Sequence, residues 1–230
     1  MITETLKADG YFHIYNHQKG NENIFNSDDN YMHFLSLFFE YISPIANVYS
    51  YCLLPHQFQL LIKIKPEKEV FTYFKLEGKF PDETASLEDI KNLSNANGLN
   101  NLDVLGIHIS KQVSNFFNAY TKIINKQQNT LNVLPAKGTK QYTIAFKREE
   151  IKDNAQLKEC ISYIHSNAIK HHLAKDIISW RYNSYNAMLS DKPTKLKRLE
   201  VIDIFESVEY FIKFHEEKIK QYLDCGAIPQ

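Results

Sequence analysis

The first third of the chain carries an order of strand and helix patterns that few folds accommodate. Residues 11–16 are rich in β-forming side chains and precede a polar stretch, which is typical of a strand followed by a turn. Apolar residues then recur at helical spacing over residues 30–42. Two further strand patterns follow at residues 47–54 and 58–64. Strand, helix, strand, strand is the opening of a ferredoxin-like, split βαβ arrangement.

The remainder of the chain continues this pattern after an interruption. Residues 66–109 mix apolar islands with loop-like, Asn-rich stretches, which indicates an insertion. Four later elements are predicted: helices over residues 109–126 and 154–172, a fourth strand over residues 142–146, and a helix from about residue 198. We therefore expect an α+β protein with an antiparallel ferredoxin-like sheet and helices on one face. Its core spans residues 1–172, with the insertion at about 66–109, and a C-terminal helical extension spans residues 173–230.

Charge is balanced over the whole chain but unevenly placed along it. The 230 residues have a formal net charge of zero, whereas a dedicated nucleic-acid binder is usually basic overall. Residues 111–148 nevertheless contain basic residues and no Asp or Glu, and a second basic cluster follows near residue 195. Phosphate contacts would use such clusters, although exposed lysines are more often simply solvated. The candidate DNA-binding residues are Lys111, Lys122, Lys126, Lys140, Lys147, Arg148, Lys192, Lys195, Lys197 and Arg198.

The cysteines and the N-terminus indicate a reduced, cytoplasmic protein. Cys52, Cys160 and Cys225 lie far apart without a CxxC pair, so neither a zinc site nor a disulfide framework is predicted. The N-terminus lacks a basic start followed by a long apolar run, and no apolar stretch approaches the roughly 20 residues needed to span a bilayer. We expect no membrane partner.

Six short runs occur in the same order as in one known family. They are 11–16 (YFHIYN), 51–55 (YCLLP), 114–125 (SNFFNAYTKIIN), 163–167 (YIHSN), 180–185 (WRYNSY) and 191–196 (DKPTKL). In these runs the chain resembles the single-tyrosine HUH transposases, particularly the insertion-sequence and REP-associated tyrosine transposases. Each run alone is weak, but six in order make coincidence an unsatisfactory explanation.

The resemblance implies a defined chemistry. In this family two histidines on one strand face hold a divalent metal that polarises a phosphate of single-stranded DNA, often beside a hairpin. A helix tyrosine then attacks the phosphorus and becomes covalently joined to the DNA. Tyr120 falls at the position of this nucleophile, and Asn125 lies a little over one helical turn beyond it. From the helical pattern alone, a tyrosine among such apolar neighbours is usually a core residue.

The positions of the metal-binding histidines are altered. Alignment on Leu54 and Pro55 places Gln57 and Gln59 there. A glutamine offers only a neutral amide oxygen, which is a weak ligand for Mg²⁺ or Mn²⁺. His56 is adjacent, but strand alternation directs it to the opposite face from both glutamines. We therefore expect no metal site and no cofactor, with Mg²⁺ or Mn²⁺ relevant only if the ancestral activity persists.

These observations predict a transposase-like protein that binds single-stranded or hairpin DNA, as a monomer or homodimer, and is catalytically impaired. One alternative is an active transposase or nickase that uses Tyr120 and an unusual ion site built from Gln57, Gln59 and Asn125. Another is a protein-interaction scaffold without a nucleic-acid role, which the neutral charge permits. Trp180, Tyr182 and Tyr185 are open to two interpretations, stacking on unpaired bases or packing within the protein.

Overall fold

A four-stranded antiparallel sheet organises the protein. The computed structural model describes residues 5–16, 23–80, 86–89, 104–130 and 144–224. The strands are β1 (Tyr11–Tyr15), β2 (Ala46–Leu54), β3 (Gln57–Ile64) and β4 (Lys147–Ile151). Their order across the sheet is β2-β3-β1-β4.

The central strand β1 sets the register of the sheet. It pairs antiparallel with β3 on one side and with β4 on the other, so that His13 lies opposite both Leu61 and Glu149. The first and second strands in the chain are thus separated by the third, which is the split βαβ arrangement. The predicted α+β class with a ferredoxin-like antiparallel sheet is confirmed.

The fourth strand lies further along the chain than the sequence pattern predicted. We expected it over residues 142–146, but residues 144–146 have no regular structure and β4 begins at Lys147. Its sequence, KREEI, has little intrinsic β character. Pairing with β1 over all five residues determines the strand instead, and the Tyr15 hydroxyl donates a 2.6 Å hydrogen bond to Glu149 across that pair.

Seven helices complete the described residues. They are α1 (Asp28–Ile42), α2 (Glu67–Leu76), α3 (Val104–Thr130), α4 (Asn154–Lys170), α5 (Tyr185–Met188), α6 (Arg198–Ile204) and α7 (Val208–Asp224). Of these, α2 lies within the predicted insertion. The helix predicted from about residue 198 is divided in two, since Glu206 between α6 and α7 adopts a left-handed φ of 69°.

Two compact units each combine three segments of the chain. The first contains Met1–Gly10, Met32–Ala46 and Ile64–Ala145. An aromatic cluster from α1 and α3 forms its core, where Phe34 makes edge contacts at 5.0 Å with both Phe116 and Tyr120. The Gln112 amide of α3 donates hydrogen bonds to the Tyr41 carbonyl and the Tyr73 hydroxyl, which ties α3 to α1 and α2.

The second unit contains Tyr11–Tyr31, Asn47–Lys63 and Phe146–Gln230, and therefore most of the sheet. The C-terminal segment of this unit pairs with the edge strand β2 through two isolated bridges. Cys52 forms an antiparallel bridge with Asn183, and Val48 forms a parallel bridge with Leu196. An exposed edge strand presents unpaired backbone groups, and these bridges satisfy part of that edge.

Within the described ranges, no helix combines the length and the apolar character that crossing a bilayer requires.

Candidate functional site

The two glutamines at the predicted metal positions lie on the same sheet face. Strand alternation places Gln57 and Gln59 of β3 together with His13 and Tyr15 of β1, as the pairing of Tyr15 with Gln59 shows. Both glutamine side chains are almost fully buried, at 2% and 3% exposure. The spacing and direction of the two glutamine side chains therefore match those of a metal-binding histidine pair, but these side chains offer neutral amide groups in place of imidazoles.

Gln59 is held by a histidine. His13 Nε2 lies 2.7 Å from Gln59 Oε1, and because an amide oxygen only accepts, the histidine donates this bond. Burial lowers the pKa of His13, against the opposing effects of the Gln59 hydrogen bond and the nearby Glu149 carboxylate. The side chain is therefore a neutral imidazole protonated on Nε2, and the oxygen of Gln59 is already engaged.

Gln57 differs from its neighbour because its buried amide nitrogen has no hydrogen-bond partner in the part of the chain that the structure describes. The same described ranges contain no group of three or more His, Cys, Asp or Glu side chains arranged to hold a metal ion. The donor set at this face is consequently poor for Mg²⁺ or Mn²⁺, which prefer carboxylate oxygens.

Tyr120 is a core residue in the structure. Its side chain is 0% exposed, and its ring stands perpendicular to that of Phe34. Asn125 is half-buried, and five residues along an α-helix turn it about 140° away from Tyr120. The two residues proposed from the resemblance thus lie on different sides of α3, and a buried phenol is poorly placed to attack DNA.

The outer side of α3 carries a continuous polar stripe. Lys111, Asn115, Asn118, Lys122 and Lys126 are all exposed and follow each other at spacings of three or four residues. Such spacings keep side chains on one helical face. No Asp or Glu occurs in the 27 residues of α3. We name these five residues the α3 stripe.

The other predicted basic residues are placed less favourably for nucleic acid. Lys147 is exposed on β4, and Arg148 is half-buried. Lys197 forms a 2.9 Å ion pair with Glu200, and the Arg198 guanidinium donates to the carbonyls of Ala187 and Lys192. The Arg198 side chain therefore stabilises the backbone of the segment that precedes it. Lys192 and Lys195 are exposed, and Lys140 lies outside the described residues.

His56 occupies the two-residue turn between β2 and β3 rather than a strand face. Its ring lies 5.5 Å from that of His171. His56 therefore lies at the end of the hairpin, away from the strand positions of Gln57 and Gln59.

A pocket of about 450 Å³ opens beside His13 and Gln59. Sequence reasoning missed it, although the alternation of Tyr11, His13 and Tyr15 along β1 was a usable signal for a polar, aromatic sheet face. The lining residues that matter here are His13, Tyr15, Gln59, Glu149, Tyr163 and Tyr222. Tyr15 stays protonated, because burial and the Glu149 carboxylate raise its pKa to about 12.

A second polar constellation is fully buried beneath the C-terminal segment. His215 Nδ1 lies 2.7 Å from the Phe211 carbonyl, and its Nε2 lies 3.0 Å from His165 Nδ1. His165 Nε2 in turn lies 2.8 Å from Ser184 Oγ. Since a carbonyl only accepts, His215 donates from Nδ1, His165 donates to His215, and the Ser184 hydroxyl donates to His165. We name this chain of bonds the histidine relay.

The histidine relay is structural. All three side chains are 0% exposed, so no substrate reaches the Ser184 hydroxyl. The relay links α4, the residue that precedes α5, and α7, and Ser184 Oγ also accepts from the Tyr51 amide of β2 at 2.9 Å. Sequence separation concealed it, because His165 and His215 lie 50 positions apart.

The C-terminal aromatic residues pack within the protein. Tyr182 stacks on Tyr31 with ring centroids 3.8 Å apart, and Tyr185 stacks on Phe211 at 5.4 Å. Trp180 is partly exposed, and its indole nitrogen donates to the Leu53 carbonyl at 2.8 Å. Of the two interpretations, packing describes Tyr182 and Tyr185.

Comparison with known proteins gives one structural neighbour to report. No protein-family model matches the chain. No curated protein matches it either. A solved structure described as a REP-associated tyrosine transposase bound to a REP hairpin matches at 12% identity and a TM-score of 0.45, covering 84% of this chain and 87% of that chain. These values are too low to assign the family, which therefore remains a prediction from the sequence resemblance.

Proposed function

We propose that this protein binds single-stranded or hairpin DNA through the α3 stripe and does not cleave it. The observation that carries the proposal is the exposed row of Lys111, Lys122 and Lys126, interleaved with two asparagines, on a helix without acidic residues. Between Lys111 and Lys126 the stripe extends about 22 Å at the rise of an α-helix. Ammonium and amide groups at this spacing suit successive phosphates of one strand.

Two changes support the loss of cleavage, one at the expected metal site and one at the expected nucleophile. Neutral amides at Gln57 and Gln59 supply little affinity for a divalent ion. The Tyr120 phenol is buried against Phe34, whereas a nucleophile must meet its phosphate. Each change alone would weaken strand cleavage, and together they favour a protein that retains a binding surface and has lost the reaction.

Neutralising the α3 stripe is expected to reduce DNA affinity and its dependence on salt. For single-stranded DNA, loss of three phosphate contacts makes the slope of log K against log salt shallower by about 2, and weakens binding on the order of 100-fold at 0.1 M salt. The measurement is fluorescence anisotropy with a labelled hairpin that carries single-stranded flanks. It compares wild type with one triple variant that combines Lys111→Gln, Lys122→Gln and Lys126→Gln.

The matched control removes the same charge elsewhere. Lys68, Lys175 and Lys220 are exposed lysines outside α3, so their combined replacement by glutamine is expected to leave the slope within about 0.5 of wild type. Equal losses in the two triple variants would show that total charge, and not the α3 stripe, governs binding. Absence of salt-sensitive binding in wild type would favour the interaction scaffold.

Addition of Mn²⁺ is expected to produce no covalent protein–DNA adduct. The readout is a denaturing gel of wild type incubated with the same labelled hairpin and Mn²⁺. An adduct that forms in wild type and disappears in Tyr120→Phe would overturn the proposed loss of cleavage and identify an active nickase.

A further inference from the structure

The pocket beside His13 has the dimensions of a small-molecule site. Its volume of about 450 Å³ lies within the range of known ligand pockets, roughly 300–1,000 Å³. Strands β1, β3 and β4 supply one wall, and Tyr163 of α4 and Tyr222 of α7 supply another. All of these residues belong to the sheet-containing unit.

One of the two carboxylates that line the pocket is already paired with a lysine, and two of its aromatic rings already carry an ammonium group, which favours an uncharged ligand. Glu159 forms a 2.6 Å ion pair with Lys218. The Lys170 ammonium lies 4.2 Å from the ring centroid of Tyr163 and 4.4 Å from that of Tyr222. An organic cation would have to compete with this resident ammonium for the same rings, whereas a neutral planar ligand can pack against the tyrosines without doing so.

Two polar side chains are available for directional recognition. Gln59 is only 3% exposed and lines the pocket, and since its oxygen accepts from His13, its amide nitrogen is the group that can donate to a ligand. Glu149 accepts one hydrogen bond from Tyr15, but a carboxylate has room for about four. Gln59 and Glu149 stand on strands either side of β1, roughly 10 Å apart across the sheet.

We propose that this pocket binds an unpaired guanine base, which deepens the proposed function and rests on it. Guanine alone among the DNA bases presents two adjacent N–H donors, N1–H and the 2-amino group, and these match the Glu149 carboxylate. Its adjoining Hoogsteen edge carries the O6 and N7 acceptors, which match the amide nitrogen of Gln59. Adenine would place the lone pair of its N1 against the Glu149 carboxylate, which is repulsive. Each pyrimidine has only one N–H donor group on this edge, with an acceptor next to it, so it cannot donate two hydrogen bonds to the carboxylate.

The test uses oligothymidine strands with a single central guanine, hypoxanthine or adenine, and separately the free mononucleotides GMP, IMP and AMP. Hypoxanthine is guanine without the 2-amino group, so it isolates the carboxylate contact. We expect wild type to prefer guanine over both alternatives by about tenfold, the discrimination that one good bidentate contact provides. Binding is measured by anisotropy for strands and by calorimetry for mononucleotides.

Three variants assign the preference to the pocket. Glu149→Gln is expected to abolish it, because one acceptor oxygen becomes a donor. Glu150→Gln is the matched control on the same strand, since its side chain points to the opposite sheet face. Tyr15→Phe removes the hydrogen bond that holds the Glu149 carboxylate and is expected to weaken the preference.

Failure of this inference and failure of the proposed function give different results. Salt-sensitive binding of all strands without guanine preference would overturn the pocket assignment and leave DNA binding intact. No binding of any strand, with GMP preferred over IMP and AMP, would overturn DNA binding and make free guanine nucleotide the ligand. No preference in either series would overturn the guanine site.

Discussion

Acidification from pH 7 to pH 4 is expected to destabilise the protein by several kcal/mol. Burial lowers the pKa of His215 to about 4 and that of His165 well below its usual value, and the two imidazoles also disfavour each other's charge. Unfolding releases both to solvent, where an imidazole has a pKa of about 6.5. The unfolded state therefore binds more protons than the folded state over this range, and stability falls as pH falls.

The size of the effect follows from the shift. A difference of about 2.5 pH units for His215 corresponds to about 3 kcal/mol, at 1.36 kcal/mol per unit. The loss begins near pH 6.5 and its His215 part is complete near pH 4, while His165 continues below. His13 adds to it, since burial lowers its pKa too. Such a loss is a large share of the 5–15 kcal/mol typical of a folded domain.

Urea unfolding at a series of pH values measures this dependence. His215→Gln removes one titrating group, and its stability is expected to be lower than that of wild type at pH 7. Between pH 6 and 4.5, the slope of its stability against pH is expected to be shallower than the wild-type slope by about 1.4 kcal/mol per pH unit. His33→Gln, at an exposed position of α1, is the control and should follow wild type. An unchanged slope in the His215 variant would refute the assignment of the pH dependence to the histidine relay.

Replacement of Tyr120 by alanine is expected to cost about 3–5 kcal/mol of unfolding free energy. Truncating a fully buried aromatic residue removes its contacts and leaves a cavity against Phe34 and its neighbours. Tyr120→Phe retains the ring and is expected to cost less than about 1.5 kcal/mol. Urea unfolding at pH 7 compares both variants with wild type.

A nucleophile held at a substrate surface would behave differently. Its replacement by alanine would leave stability near that of wild type while abolishing covalent DNA capture. Wild-type stability in Tyr120→Ala would therefore contradict the core role that burial indicates. The comparison separates a residue that supports the fold from one that performs chemistry, at the position where the family resemblance predicts the nucleophile.

Local patterns in the sequence determined most of the architecture. Runs of β-forming side chains predicted β1, β2 and β3, because such side chains suit buried strands. Helical spacing of apolar residues predicted α1, α3 and α4, because a helix that buries one face repeats its apolar residues at that spacing. The sheet topology followed from their order. The same spacing, applied to Tyr120 among Phe116, Phe117 and Ile124, predicted a core position as an alternative to catalysis, and the structure places the residue in the core.

Only the tertiary structure decided the features that depend on distant residues. Strand β4 has no apolar alternation and exists through its pairing with β1. Gln59, His13 and Glu149 come together because register aligns three strands that are far apart in the chain. The histidine relay depends on α4 and α7 packing together, which brings His165 and His215 into contact across 50 positions. The periodicity of a sequence indicates which face of a helix or strand is buried, but it does not indicate which distant side chain packs against that face.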